Sequence, residues 1–234
     1  MSIIELKSVT CKTDERVILD DISLTLDNQK TVIIGANGSG KSTLIRLFNG
    51  LILPDSGSVM VDARSTEGKT ANMIRKDIGF MFQNPAHQII WPLVKEDLIF
   101  GLKNHGFDKA SFDERVDEVL KRLKISHLKE AITHELSGGE SQLVALAALL
   151  IIEPKWLIFD EPCAMLDLKN QLNIQKIIAQ LSQQIIVVSH DLEWAKQFER
   201  VLWIDEGRIK GDGDSKVVDN YRDYITNKVS GHAL

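Results

Sequence analysis

Apolar and polar positions alternate through the first part of the chain in short bursts separated by polar pairs. Residues 4–9 and 17–26 read as strands of a lead-in sheet, with Asp14-Glu15 as the turn between them and residues 27–30 as the next turn. The apolar run at 31–34 predicts a further strand. A glycine-rich stretch follows it, and then Leu44, Ile45, Leu47 and Phe48 recur as on a helix packed against a core, until Gly50 ends that helix. Residues 54–57 form a turn and 58–62 a short strand. Residues 63–77 are polar and weakly patterned, a surface loop with a short helix around 71–75. Residues 78–82 read as another strand.

From 84 to 106 the pattern changes. Ile89, Ile90, Trp91, Leu93, Leu98, Ile99 and Phe100 crowd together without a long helical period. Leu98 and Phe100 are expected in the core, because large apolar groups usually lie inside. Ile90 and Trp91, beside Pro92, are expected on an exposed patch suited to a partner. Ser111 and Glu114 have the spacing of a capping box, ahead of Val116, Val119, Leu120 and Leu123 on one helical face. Ser137 and Glu140 form a second such box, opening a helix that is apolar nearly all round over 143–152 and therefore buried; Pro154 stops it. Residues 155–161 are a buried strand ending in two carboxylates, 168–181 a helix, 185–189 a buried strand, and 201–205 with 208–210 a hairpin around Glu206-Gly207. Strands alternating with helices predict an α/β fold whose core sheet is mostly parallel, with an antiparallel addition.

Composition narrows the partner classes. The chain of 234 residues is long enough for one domain with a lobed insertion. Acidic residues outnumber basic ones, 33 to 28, which disfavours a sequence-nonspecific nucleic-acid binder. Cys11 and Cys163 lack metal-ligand spacing and read as small buried thiols in a reducing compartment. The start lacks the charge and apolar core of a signal peptide, and the longest apolar run, 143–152, falls short of the roughly 20 residues a spanning helix needs. A soluble or peripheral protein is expected.

The candidate chemistry begins between the strand at 31–34 and the helix after it. Gly35-Ala36-Asn37-Gly38-Ser39-Gly40-Lys41-Ser42, followed by Thr43, fits G-x-x-x-x-G-K-[ST]. Glycines let the backbone curl so that its N–H groups point inward, and the helix N-terminus adds positive potential for phosphate. Lys41 reaches the β- and γ-phosphates and Ser42 offers its hydroxyl to Mg²⁺. Asp160 and Glu161 arrive at the C-terminal end of their strand, the edge where α/β proteins bind ligands. There Asp160 suits a Mg²⁺ partner, and Glu161, facing the other side of the strand, suits the polarisation of a water for attack on the γ-phosphate. His190, just past the strand at 185–189, is the kind of residue that by itself is more often structural. In company with the phosphate loop and the carboxylate pair it becomes a γ-phosphate contact.

Together these residues resemble the nucleotide-binding subunit of ATP-binding-cassette transporters over essentially the whole chain. The resemblance adds Gln83 as the glutamine of the Q-loop, Leu136-Ser137-Gly138-Gly139-Glu140 in place of the LSGGQ signature, a D-loop at Ala164-Met165-Leu166-Asp167, and His190 as the switch histidine. It implies a RecA-like P-loop NTPase core with an antiparallel β subdomain and an inserted α-helical subdomain: a core lobe of about 1–83 and 156–234 and a helical subdomain of about 84–155. It implies ATP and Mg²⁺ as ligands. Glu161, His190, Gln83 and Lys41 would act in catalysis; Gly35, Asn37, Gly38, Ser39, Gly40, Lys41, Ser42, Thr43, Ser137, Gly138, Gly139, Glu140 and Asp167 would hold nucleotide; Ser42, Gln83 and Asp160 would serve the metal. A head-to-tail dimer follows, either a homodimer or a pseudo-dimer with a paralogue, in which each ATP lies between one phosphate loop and the other subunit's signature helix.

Within the family, Phe82-Gln83-Asn84-Pro85-Ala86-His87-Gln88-Ile89-Ile90 resembles the Q-loop of energy-coupling-factor vitamin and metal importers. The short C-terminus, residues 141–144 and residues 200–204 resemble most the ATPase of the biotin-type system. That implies a transmembrane coupling protein docking near Ile90 and Trp91, a membrane-embedded substrate-binding protein, no nucleic acid, and a peripheral place on the cytoplasmic face of the membrane. A cobalt or nickel importer, or a soluble cassette acting on nucleic acid or ribosomes, is the alternative. Three positions depart from the family pattern: no aromatic ring stands near Thr13 to stack on adenine, Glu140 replaces the signature Gln, and Met165 replaces a common Gly.

Overall fold

The alternation of the lead-in segment is realised as an antiparallel pair whose register shifts three times. In chain order the first elements are β1 (Ile4–Lys12), β2 (Val17–Leu26), β3 (Lys30–Ile34), α1 (Lys41–Phe48), β4 (Ser56–Val61), β5 (Arg64–Ser65) and α2 (Ala71–Asp77). Then come β6 (Ile78–Met81), α3 (Val94–His105), α4 (Phe112–Arg122), α5 (Gly138–Leu150), β7 (Trp156–Asp160) and α6 (Leu168–Gln180). The chain closes with β8 (Gln184–Val188), α7 (Leu192–Ala195), β9 (Arg200–Asp205), β10 (Arg208–Gly213) and α8 (Lys216–Ser230). In β1, Ile4 and Leu6 face inward opposite Leu26 and Leu24, the register then shifts, and Ser8 takes a left-handed φ of 46°. The bulge puts Val9 and Cys11 back on the buried side.

This computed structural model describes residues 1–85 and 88–230 in two compact units. Ala86 and His87, within the expected Q-loop segment, lie outside the described residues. The first unit combines Met1–Arg75 with the chain from Gln184 onward. Its antiparallel sheet has the order β2-β1-β4-β5, and its second sheet runs β10-β9-β3-β8, with β3 parallel to both β8 and β9. Residues 31–34 are buried on both faces, which is why they read as a continuous run. Ser2 N–H donates to Gln184 Oε1 at 2.7 Å and Gln184 Nε2 donates back to Ser2 O at 2.9 Å, so the two chain segments are stitched at the start of β8.

The second unit is Lys76–Gln183. β6 and β7 pair in parallel from Ile78↔Trp156 to Met81↔Phe159. α5 carries a buried stripe nearly all round, and its capping box forms as expected: Ser137 Oγ accepts from Glu140 N–H, and Glu140 Oε2 accepts from Ser137 N–H at 2.9 Å.

Four expectations change. Residues 94–105 are helical, with Val94, Leu98 and Leu102 on the buried side. The period is hidden in the sequence because Asp97 also faces inward, accepting from the backbone N–H groups of Ile90 at 2.8 Å and Trp91 at 3.1 Å. Phe100 is half-buried and packs on Trp91 with ring centroids 5.8 Å apart. The box at Ser111 is absent. A single 3₁₀ turn over Lys109–Ser111 starts the helical path a turn earlier, Asp108 caps it by accepting from Ala110 N–H, and Ser111 Oγ donates to Asp108 O instead. Cys163 is half-buried, not a core thiol like Cys11.

Candidate nucleotide site

The phosphate loop is shaped by two glycines that no other residue replaces. A Cβ on Gly35 would stand 2.1 Å from Ile204 O, and one on Gly40, at φ 106°, would meet Leu19 Cδ2 at 2.8 Å and Ile18 O at 2.9 Å. Side chains are therefore excluded from the packed side of the loop, while a Cβ on Gly38 would meet nothing within 4 Å. That open side is where a ligand can approach backbone N–H groups. Lys41, the first residue of α1, is buried, and its ammonium donates to Gly35 O and Ala36 O at 2.9 Å each. Ser39 Oγ, 4% exposed, has no hydrogen-bond partner among the described residues. A buried ammonium beside a loop left open at Gly38 suits a polyphosphate.

His190 stands in the same unit, exposed, one residue beyond Ser189, whose N–H donates to Ile33 O at 3.2 Å and so continues the β3–β8 pairing. On its other side Asp191 donates its N–H to Ser189 Oγ and caps α7 by accepting from Trp194 N–H at 2.9 Å. His190, Ser189 and Gly35 line one cavity.

The second unit brings together Gln83 and Glu161, which sequence spacing alone does not join. β6 ends just before Gln83 and β7 just before Glu161, and Gln83 Nε2 donates to Glu161 Oε2 at 3.1 Å. Asp160 is buried as the last residue of β7. Glu161 has φ 51°, a left-handed conformation that a non-glycine residue adopts at some cost. Its direction is set by this turn and not by strand alternation. Gln142, on the buried side of α5, fixes the turn by donating to Pro162 O at 2.7 Å.

The N-terminus of α5 lies against α6. A Cβ on Gly139 would fall 2.8 Å from the Asn170 side chain, and Asn170 is held by Asp167, which caps α6 by accepting from Asn170 N–H at 2.9 Å. Ser137 Oγ also donates to Glu140 Oε2 at 2.6 Å. These bonds pull the Glu140 carboxyl below its ordinary range, so it is ionised at neutral pH. Leu168 and Leu172 on α6, and Met165 just before it, are exposed. Among the described residues no helix is long and apolar enough to cross a membrane.

Residues 19–164 match the family model described as ABC transporter. The chain belongs to the ABC transporter ATP-binding family. It is an ABC-type ATPase. A biotin transport ATP-binding protein, BioM, of Rhizobium etli is 44% identical over 89% of this chain and 92% of that protein. An energy-coupling factor transporter ATP-binding protein, EcfA1, of Halalkalibacterium halodurans is 38% identical over 94% of this chain and 82% of that one. Among solved structures, CbiO1 of Clostridium perfringens, described as part of the ABC transporter complex CbiONQ, superposes with a TM-score of 0.83 at 33% identity, covering 96% of this chain and 93% of that one. The ABC ATPase fold accounts for the mixture of an antiparallel and a largely parallel sheet seen here.

Three features near the site go beyond the pattern of strands and motifs in the sequence: α8, the contact of the β9–β10 turn with the phosphate loop, and the pairing of Gln83 with Glu161. The signal for α8 was Val217, Val218, Tyr221 and Tyr224, spaced on one helical face.

Proposed function

We propose that this chain is the ATP-hydrolysing subunit of an energy-coupling-factor importer, with biotin as its cargo. The observation that carries the family branch and cargo is the 44% identity to a biotin transport ATP-binding protein across nearly all of both chains. In this reading Gly35 to Thr43 hold the phosphates of ATP, Lys41 neutralises the β- and γ-phosphates, and His190 contacts the γ-phosphate. Mg²⁺ suits the oxygen donors assigned to it, the Ser42 hydroxyl, the Gln83 amide and the Asp160 carboxylate. When bound it neutralises charge on the phosphate oxygens.

Glu161 orients the attacking water and accepts its proton. The left-handed turn and the bond from Gln83 hold its carboxylate before substrate arrives, which is where a positioned general base gains its advantage. Ser137, Gly138, Gly139 and Glu140, with Asp167 behind them, form the second half of a site completed by another copy or a paralogue. The free N–H groups at that helix start attract a γ-phosphate, so ATP glues two subunits and hydrolysis releases them. Ile90 and Trp91, 70% and 41% exposed, are the surface offered to the transmembrane coupling protein, which brings the membrane substrate-binding protein and holds this subunit at the cytoplasmic face of the membrane.

Replacing the base tests the core of this proposal. Glu161→Gln keeps ATP binding, lowers turnover by roughly 10² to 10⁴ and lengthens the life of the ATP-bound dimer. Near-normal hydrolysis by this variant, measured as phosphate release, would remove Glu161 from its role.

A further inference from the structure

The C-terminal helix is connected to the phosphate loop by a run of contacts lying wholly within the first unit. Tyr224 Oη donates to Asp205 Oδ2 at 3.1 Å, and Asp205 is a buried carboxylate at the end of β9. Two residues earlier, Trp203 packs against Tyr221 and Tyr224 with ring centroids 5.5 and 5.1 Å away. Lys228 adds a bond to Tyr224 Oη at 3.4 Å and an ion pair with Glu206 at 3.9 Å. One face of α8 thus grips the end of β9 and the turn after it.

That turn touches the loop through main-chain atoms. Gly207 N–H donates to Ser39 O at 3.0 Å, and Ile204 O occupies the place where Gly35 has no Cβ. Gly207 O accepts from Asp20 N–H at 3.0 Å, so the turn is clamped between β2 and the loop. The opposite side of α8 is tied to α7, which follows His190, by Arg222–Glu193 at 2.6 Å and Lys196–Asp219 at 2.7 Å. Between these anchors α8 shares a cavity of 260 Å³ with Gly35, Ser189 and His190. The exposed ion pairs contribute little energy. A buried carboxylate with a hydroxyl donor, and an edge-on and a tilted ring contact on Trp203, contribute more.

We propose that Tyr224 is a positioning residue for nucleotide binding. It touches no substrate. By fixing Asp205 it sets the Asp205–Gly207 turn, and through the Gly207–Ser39 bond the turn sets the curvature of the phosphate loop. The inference rests on Gly35 to Thr43 being the phosphate site.

The test uses the full chain, titrated with MgADP and assayed with ATP well below the melting temperature of each variant. Tyr224→Phe keeps the ring against Trp203 and removes only the hydroxyl. It should raise the Kd for MgADP by about three- to tenfold, the worth of one net hydrogen bond, with kcat at saturating ATP unchanged. Asp205→Ala should show the same split, while Asp205→Asn, whose amide oxygen still accepts from Tyr224, should bind as the natural protein does. A lowered melting temperature with an unchanged Kd, or a fall in kcat with Kd unaltered, would overturn the proposal by giving Tyr224 a purely structural or a different role. If the natural protein itself fails to bind MgADP, the phosphate-site assignment falls, and this inference with it.

Discussion

Glu140 does two things whose consequences oppose each other. Its carboxylate closes the capping box on Ser137, and it stands as an ionised group at a helix start that the proposed dimer turns toward a neighbouring γ-phosphate. Because its folded pKa lies below the ordinary 4.5, the capping contribution is complete above that value and is lost as pH falls through the lowered one. Glu140→Gln keeps an amide oxygen for Ser137 N–H and deletes the charge. ATP-dependent association of the Glu161→Gln protein should therefore tighten by several-fold in the double variant, most at low salt where like charges are least screened. Sedimentation with ATP at two salt concentrations checks this, and equal association of both proteins would place Glu140 away from the phosphate. Other residue-scale features were readable in advance for a simple reason. The fixed letters of the phosphate loop are dictated by sterics, and the 2.1 Å approach at Gly35 shows how little latitude there is. The left-handed backbone at Glu161 was not readable, since no local rule puts a glutamate there.

At the scale of elements, the buried strands and α5 announce themselves because uninterrupted apolar runs have few alternatives. α3 does not. A carboxylate inside its apolar stripe disguises the helix, yet that carboxylate is what holds the segment before it in shape, by accepting from Ile90 and Trp91. The main chain at 90 and 91 is thus pinned while the Ile90 side chain and much of the Trp91 ring stay exposed. Thr133 Oγ1 adds a bond to Trp91 O at 2.9 Å from the other side. A rigid apolar knob of this kind suits a docking surface, as tryptophan anchors commonly do. Trp91→Glu should leave the isolated subunit folded, with ATP binding intact, and abolish its co-purification with the membrane complex. Unfolding of the variant would assign Trp91 to the core through its packing on Phe100, and an undisturbed complex would move the docking surface elsewhere. The absent box at Ser111 shows the limit of motif reading at this scale: the spacing was right, but Asp108 three residues upstream competed for the cap and won.

For the molecule as a whole, strand and helix order gave the fold class, because β-loop-α alternation fits few architectures. What the order did not reveal is how the first unit is assembled from distant pieces. β3, which carries the phosphate loop, takes its sheet partners β8 and β9 from residues 184–205, and Ser2 meets Gln184 across the same join. This discontinuity has a consequence for biosynthesis. While the ribosome is making residues 35–183, the loop exists as sequence but its strand has neither of these neighbours, and contacts so far apart in the chain form late. A nascent chain arrested after residue 183 should therefore fail to retain ATP-agarose, whereas one extended through β10 and α8 should bind. Retention by the shorter chain would mean that the loop acquires its form before its partners are made. Nucleotide binding is thus expected to begin only after residues 184–205 have been made, so the loop stays without its ligand while the chain between its strand and those partners is being synthesised.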